Sequence, residues 1–138
     1  QQRVLDKYDR YSQDRKIHIV AAPGSGKTTL LLNTIKILKE KYKIGVMEAD
    51  IEASVDAQKM IDAGVRSIQV HTGGECAMDA CMTKQAINEF QTEDLDLLFL
   101  ENVGNLVCPA EQDTGAIHNM AILSIPEGDD KPLKLLVK

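Results

Sequence analysis

Tryptophan is missing from this 138-residue chain, and two Phe and three Tyr are all the aromatic residues it has. Its core must therefore be aliphatic. Hydrophobic residues still make up 43% of the chain, which suits one globular domain and argues against intrinsic disorder. Apolar runs such as 97–100 fall far short of the ~18–20 residues that a membrane-spanning helix needs, so no membrane partner is expected. Lys and Arg number 16 against 21 Asp and Glu, a net charge of −5, and the basic footprint of a nucleic-acid binder is lacking. Lys36, Lys39, Lys41 and Lys43 do cluster, but interleaved with Ile and Leu they read as one solvated helix face. Gln1-Gln2-Arg3-Val4-Leu5-Asp6 carries charge where a secretory signal needs an apolar stretch, so the cytoplasm is the expected location. Three cysteines in a reducing compartment are thiols or metal ligands before they are disulfides.

What is present is an alternation of elements. Val4, Leu5, Tyr8 and Tyr11 predict an amphipathic helix over about residues 1–13. The β-branched run 17–21 predicts a strand. It ends in a glycine-rich turn at 23–26, and a helix follows with Leu31, Leu32, Ile35, Leu38 and Tyr42 on one side. Further strands are predicted at 44–48, 67–70, 95–100 and 120–125, and helices at 55–63, stopped by Gly64, and at 78–90. Continuous apolar strands alternating with helices predict an α/β domain of three layers with a mostly parallel sheet, whose ligands bind at the carboxyl ends of the strands.

Ala21-Ala22-Pro23-Gly24-Ser25-Gly26-Lys27-Thr28-Thr29 matches the GxxxxGK[ST] phosphate loop at every position except the first, where Ala21 replaces glycine. Glycines let the backbone wrap around phosphate and turn its N–H groups inward at a helix N-terminus. Pro23, Gly24, Ser25, Gly26, Lys27, Thr28 and Thr29 are thus candidate nucleotide-binding residues. Lys27 would reach the β- and γ-phosphates, the Thr28 hydroxyl would ligate Mg²⁺ and Thr29 would approach the α-phosphate. If position 21 requires a positive φ, Ala21 costs of order 1 kcal/mol; at negative φ it costs little.

A nucleoside triphosphatase also needs carboxylates at the ends of neighbouring strands. Asp50 follows the strand at 44–48, and Glu101 ends the apolar run 97–100; both are candidates, Asp50 with Thr28 for Mg²⁺. Glu101-Asn102-Val103-Gly104 is similar to a switch segment whose glycine, Gly104, senses the γ-phosphate. Glu48 lies inside the strand pattern at an expected solvent-facing position.

Combined with Glu48-Ala49-Asp50-Ile51, Thr72-Gly73-Gly74-Glu75-Cys76, the long stretch 95–111 containing ENVGNLVCPAE, and 127–134, the phosphate loop resembles the HypB family of P-loop GTPases, which assist nickel insertion into nickel-iron hydrogenases. The resemblance covers nearly the whole chain, read as one G domain over 1–138. It implies a SIMIBI-class domain that binds GTP or GDP with Mg²⁺ and forms a homodimer with nucleotide. It also implies Ni²⁺ or Zn²⁺ at the dimer interface, with a hydrogenase large-subunit precursor and a nickel chaperone as partners. The urease accessory GTPase is a relative. The family's metal site implies Cys76 and Cys108 as ligands; the family's histidine position is occupied by Ala77. Two copies of each cysteine could assemble a tetrathiolate across a two-fold axis. His71 and Cys81 are possible substitute ligands, although Cys81 is expected to pack on its helix. His18 and His118 read as ordinary core-edge and surface residues. By spacing alone, Cys76 and Cys108 also read as buried structural thiols.

The family's Asn-Lys-x-Asp motif for guanine does not occur in these 138 residues, nor do the strands that complete the family's sheet; Leu133, Leu135, Leu136 and Val137 could form a replacement edge. Residues 1–15 contain no Cys or His of the kind found in the family's nickel-binding extension. Three readings follow: a Mg²⁺-dependent GTPase and nickel chaperone, a metal-binding or docking module with a weakened nucleotide site, and an ATPase of the same superfamily.

Overall fold

A computed structural model of the chain describes residues 15–49 and 54–125. The helix predicted at 1–13, Asp50, and the segments 127–134 and 133–137 lie outside the described residues. The chain runs β1 (Arg15–Ala21), α1 (Lys27–Leu38), β2 (Ile44–Ala49), α2 (Ser54–Asp62), β3 (Arg66–Val70), α3 (Ala80–Phe90), β4 (Leu97–Glu101), α4 (Cys108–Glu111) and β5 (His118–Ile122). The strands form one parallel sheet in the order β3-β2-β4-β1-β5. The last strand begins and ends earlier than the predicted 120–125, because it is His118 to Ile122 that pair with Ile17 to Ala21.

Hydrophobicity decides which strands are central. Every residue of β2 and β4 is buried, whereas β3 is largely half-buried and β5 largely exposed, so the polar strands take the edges. Along β4 successive side chains serve opposite faces of the sheet. Leu97 and Phe99 join a core with Leu31 and Ile35 of α1 and Met60 of α2. Leu98 and Leu100 join a second core with Met78 and with Ala86 of α3. The expected three layers are present, and among the described residues no helix is long and apolar enough to cross a membrane.

The two long helices flanking the site start differently. Asp79 caps α3 by accepting the Met82 N–H at 2.8 Å. In α1 the cap is Gly26 at φ 91°, with no side-chain hydrogen bond and no acidic residue in the first turn. The first N–H groups of α1 are left for a partner outside the helix, at its positive end.

Replacing a fully buried side chain should cost far more than replacing an exposed one. Leu98→Ala (1% exposed) is expected to lower unfolding free energy by about 2–5 kcal/mol and Ile37→Ala (74% exposed) to change it by about 0.5 kcal/mol or less, measured by urea titration.

Candidate functional site: a phosphate loop joined to a cysteine pair

The chain leaves β1 at Ala21 and enters a tight loop in which Ser25 N–H reaches Ala22 O at 3.3 Å. Gly24 (φ 71°) and Gly26 (φ 91°) occupy the left-handed region, which explains the two glycines physically. Ala21 does not: the positive-φ residues other than glycine reduce to Gln91 among the described residues, and the Ala21 methyl is wholly buried. The missing first glycine therefore brings no backbone strain. Lys27 Nζ folds back to Ala21 O at 3.4 Å, close to the loop's open centre.

Because β4 lies between β1 and β2, Glu101 stands beside Ile19 on one side and Glu48 on the other. Its Oε1 accepts the Thr28 hydroxyl at 2.9 Å, so the candidate Mg²⁺ ligand of the loop and the candidate carboxylate of β4 meet directly. A cleft of about 570 Å³ opens above them, bordered by Gly24, Lys27, Thr29, Glu101 and Gly104. Gly104 presses on the loop: a Cβ there would come within 3.1 Å of Pro23 Cγ and 3.3 Å of Pro23 Cα. A cation and uncapped helix N–H groups above paired hydroxyl and carboxylate oxygens suit a magnesium polyphosphate.

Glu48 corrects the sequence reading. It is 3% exposed, accepts the Ser67 hydroxyl at 3.0 Å and borders the cleft, as does Lys59 of α2. Alternation along β2 could not reveal this, since the strand is buried on both faces.

The cysteines occupy two loops. Cys76 is exposed and Cys108, at the start of α4, is half-buried. Their side chains are near enough for one to act on the other. The Cys108 side chain hydrogen-bonded to Cys76, then desolvation, pushes the Cys76 thiol above its ordinary range, and the nearby Glu75 charge adds to this. Asn105 Nδ2 donates to Cys108 Sγ at 3.2 Å, and the backbone of Asn105 forms an antiparallel bridge with Ala21 at the end of β1. Cys81 is exposed on α3 rather than packed, and His71 is exposed. Among the described residues no group of three or more His, Cys, Asp and Glu side chains is placed to hold a metal. Within one chain the cysteine pair brings together two thiols and, among the described residues, no more.

A buried network that the sequence reading passed over lies between loop and strands. Asn102 is 1% exposed and holds both the N–H (2.8 Å) and the C=O (3.2 Å) of Met78, while its Nδ2 meets His18 Nε2 at 2.8 Å. His18 Nδ1 in turn meets Asn119 Oδ1 at 2.8 Å. The one signal available was an amide directly after a buried strand.

Burial pushes the His18 pKa below its ordinary 6.5, against smaller upward effects of the Asn119 hydrogen bond and the Asp113 charge. The unfolded chain therefore takes up this proton more readily than the folded one. The contribution to stability is complete above about pH 6.5 and is lost as pH falls towards the lower folded-state value. Thermal midpoints are expected to decline from about pH 7.5 to about pH 5.5, with a shallower decline in His18→Gln. An identical slope in both proteins would remove His18 as its source.

The sequence profile of the CobW/HypB/UreG nucleotide-binding domain matches residues 15–122. The hydrogenase maturation factor HypB of Rhizobium leguminosarum bv. viciae is 44% identical over 141 residues, an alignment covering 95% of this chain and 47% of that protein. The crystal structure of HypB from Helicobacter pylori in complex with nickel superposes with a TM-score of 0.82 at 38% identity, covering 94% of this chain and 62% of that one. HypB from Archaeoglobus fulgidus gives a TM-score of 0.78 at 37% identity, over 90% of this chain and 60% of that one. The chain spans about half the length of the curated relatives it matches. On this match of profile, sequence and fold, the chain belongs to the CobW/HypB/UreG family of nucleotide-binding domains, and the three relatives named above are HypB proteins.

Proposed function

We propose that this domain is a Mg²⁺-dependent GTPase whose nucleotide state governs a nickel ion carried as cargo by Cys76 and Cys108 for a hydrogenase precursor. The observation that carries the reading is the short connection from loop to thiol: Ala21 bridges Asn105, and Asn105 hydrogen-bonds Cys108. The HypB relatives, one of them a nickel complex, support the cargo; guanine and the hydrogenase partner rest on that likeness.

Charge stabilisation falls to Lys27, which exchanges Ala21 O for phosphate oxygens, and to the backbone N–H groups of residues 24–28. Thr28 and Asp50 would hold Mg²⁺, with Glu101 accepting from Thr28 or from a metal-bound water. When bound, Mg²⁺ neutralises charge on the β- and γ-phosphate oxygens. Gly104, set against Pro23, registers the γ-phosphate and passes its position along residues 104–108. Two thiolates suit Ni²⁺ or Zn²⁺, and a homodimer formed with nucleotide would bring four sulfurs together. A nickel chaperone would load the site. The unstrained Ala21 argues against a nucleotide site weakened at that position.

GTP turnover is expected to exceed ATP turnover and to fall about 10²–10³-fold in Lys27→Ala; equal rates in wild type and Lys27→Ala would overturn the enzymatic reading, and ATP preference would make the domain an ATPase. Since losing even an indirect metal partner costs about 10–100-fold in affinity, Cys76→Ser and Cys108→Ser should each weaken Ni²⁺ binding by at least about tenfold in equilibrium titration. Unchanged affinity in both would remove the cargo site.

A further inference from the structure

We infer that Asn102 is the positioning residue through which nucleotide state sets Ni²⁺ affinity at the cysteine pair. The inference rests on the nucleotide and nickel roles proposed above, and it assigns their coupling to one carboxamide.

Asn102 directly follows Glu101, whose carboxylate accepts from Thr28 in the phosphate loop. Its own N–H is held by Ile19 O of β1 at 3.1 Å. Its Oδ1 accepts from Met78 N–H at 2.8 Å and Val103 N–H at 2.9 Å; its Nδ2 donates to Met78 O at 3.2 Å and meets His18 Nε2 at 2.8 Å. An amide has two donor hydrogens and two acceptor lone pairs, and all four are engaged. One buried side chain thus grips both polar backbone groups of a residue two positions beyond Cys76.

Met78 keeps the amide from turning over, because its N–H can only donate to Oδ1 and its C=O can only accept from Nδ2. With Nδ2 so placed, His18 Nε2 accepts from it and the imidazole proton falls on Nδ1, facing Asn119 Oδ1. A flipped carboxamide would set Oδ1 against a lone pair. Displacement of the strand exit at 101–104 therefore cannot be absorbed by rotation of Asn102. It must either move the 76–78 backbone or break several buried hydrogen bonds together, which is how a small local change becomes a discrete one. Asn105 differs in kind, since it touches the Cys108 sulfur itself; Asn102 touches neither sulfur and acts through Met78.

The test is nickel titration of the reduced protein loaded with GDP or with guanosine β,γ-imidotriphosphate. The wild-type Ni²⁺ Kd should differ between the two states by at least about fivefold, the lower end of ordinary coupling between sites. In Asn102→Ala that ratio should collapse to below about twofold while GDP, the imidotriphosphate and Ni²⁺ still bind at saturating concentration. The Met78 amide, freed from Oδ1, should exchange with solvent at least about tenfold faster while β4 amides stay protected. Asn102→Asp keeps the size and the two acceptor contacts, loses donation to Met78 O and His18, and serves where the alanine variant does not fold; it should also reduce the ratio. A wild-type ratio retained in Asn102→Ala with Met78 exchange accelerated, or retained in folded Asn102→Asp where the alanine variant does not fold, overturns the inference and leaves the proposed function intact. A ratio of one in the wild type, with both ligands bound, refutes the coupling itself and this inference with it. Failure of the wild type to bind either ligand brings down the proposed function.

Discussion

The carboxyl edge of the sheet is organised by one constraint: β4 has to lie between β1 and β2. Its Leu97-Leu98-Phe99-Leu100 run needs apolar cover on both faces, and only an interior position between the α1 and α2 layer and the α3 layer supplies it. Pairing on both flanks then fixes register, and register delivers Glu101 beside Ile19 and Glu48 at the mouth of the phosphate loop. The Thr28 to Glu101 hydrogen bond follows from that placement. A carboxylate 8% exposed would be expensive without partners, so the loop hydroxyl is also part of what makes this strand end tolerable.

Beyond Glu101 the chain distributes contacts one residue at a time. Glu101 meets the phosphate loop, Asn102 meets the cysteine loop and β1, Gly104 lies on Pro23, and Asn105 pairs with Ala21 and reaches Cys108. No spare length exists in which a displacement could dissipate. Asn105 also turns its own segment, its Oδ1 accepting from Val107 N–H at 2.9 Å, which starts α4 and presents Cys108. Gly104 has a steric reason to be glycine, since a Cβ would fit only if Pro23 gave way by a few tenths of an ångström.

The parts of this arrangement that depend on local pattern were legible in the sequence. Two glycines, a lysine and a threonine between a β-branched strand and an amphipathic helix specify the loop, and an unbroken apolar run specifies an interior strand. The burial of Glu48 and Asn102 was not legible, nor were the partners of His18, which read only as a core-edge residue, because each is polar in a place where pattern predicts either solvent or core. Their burial is made acceptable by partners 19, 24 and 84 residues away in sequence, Ser67, Met78 and Asn102. Long-range satisfaction of that kind leaves no periodic trace. The shift of β5 has a similar origin: its start is set by pairing with Ile17, not by where its apolar residues begin.

Ala77 stands where the resemblance implies an imidazole, and the structure shows what surrounds that position. Cys76 is exposed, Ala77 is 5% exposed and Met78 is wholly buried with both backbone groups held by Asn102, so the chain turns inward immediately after the cysteine. A methyl fits the inward position; an imidazole would have to reach back out to a metal or be buried at a desolvation cost. Two thiols thus stand together at the cysteine pair, and hydroxyl and carboxylate oxygens meet at Thr28 and Glu101. Soft thiolates discriminate for Ni²⁺ or Zn²⁺ and hard oxygens for Mg²⁺, so a cargo ion and a nucleotide-bound ion would be kept apart by ligand chemistry although residues 101–108 join their sites. Under the proposed cargo role, two sulfurs per chain would leave four-coordination short of two donors, and a second copy on a two-fold axis would supply a chemically identical pair.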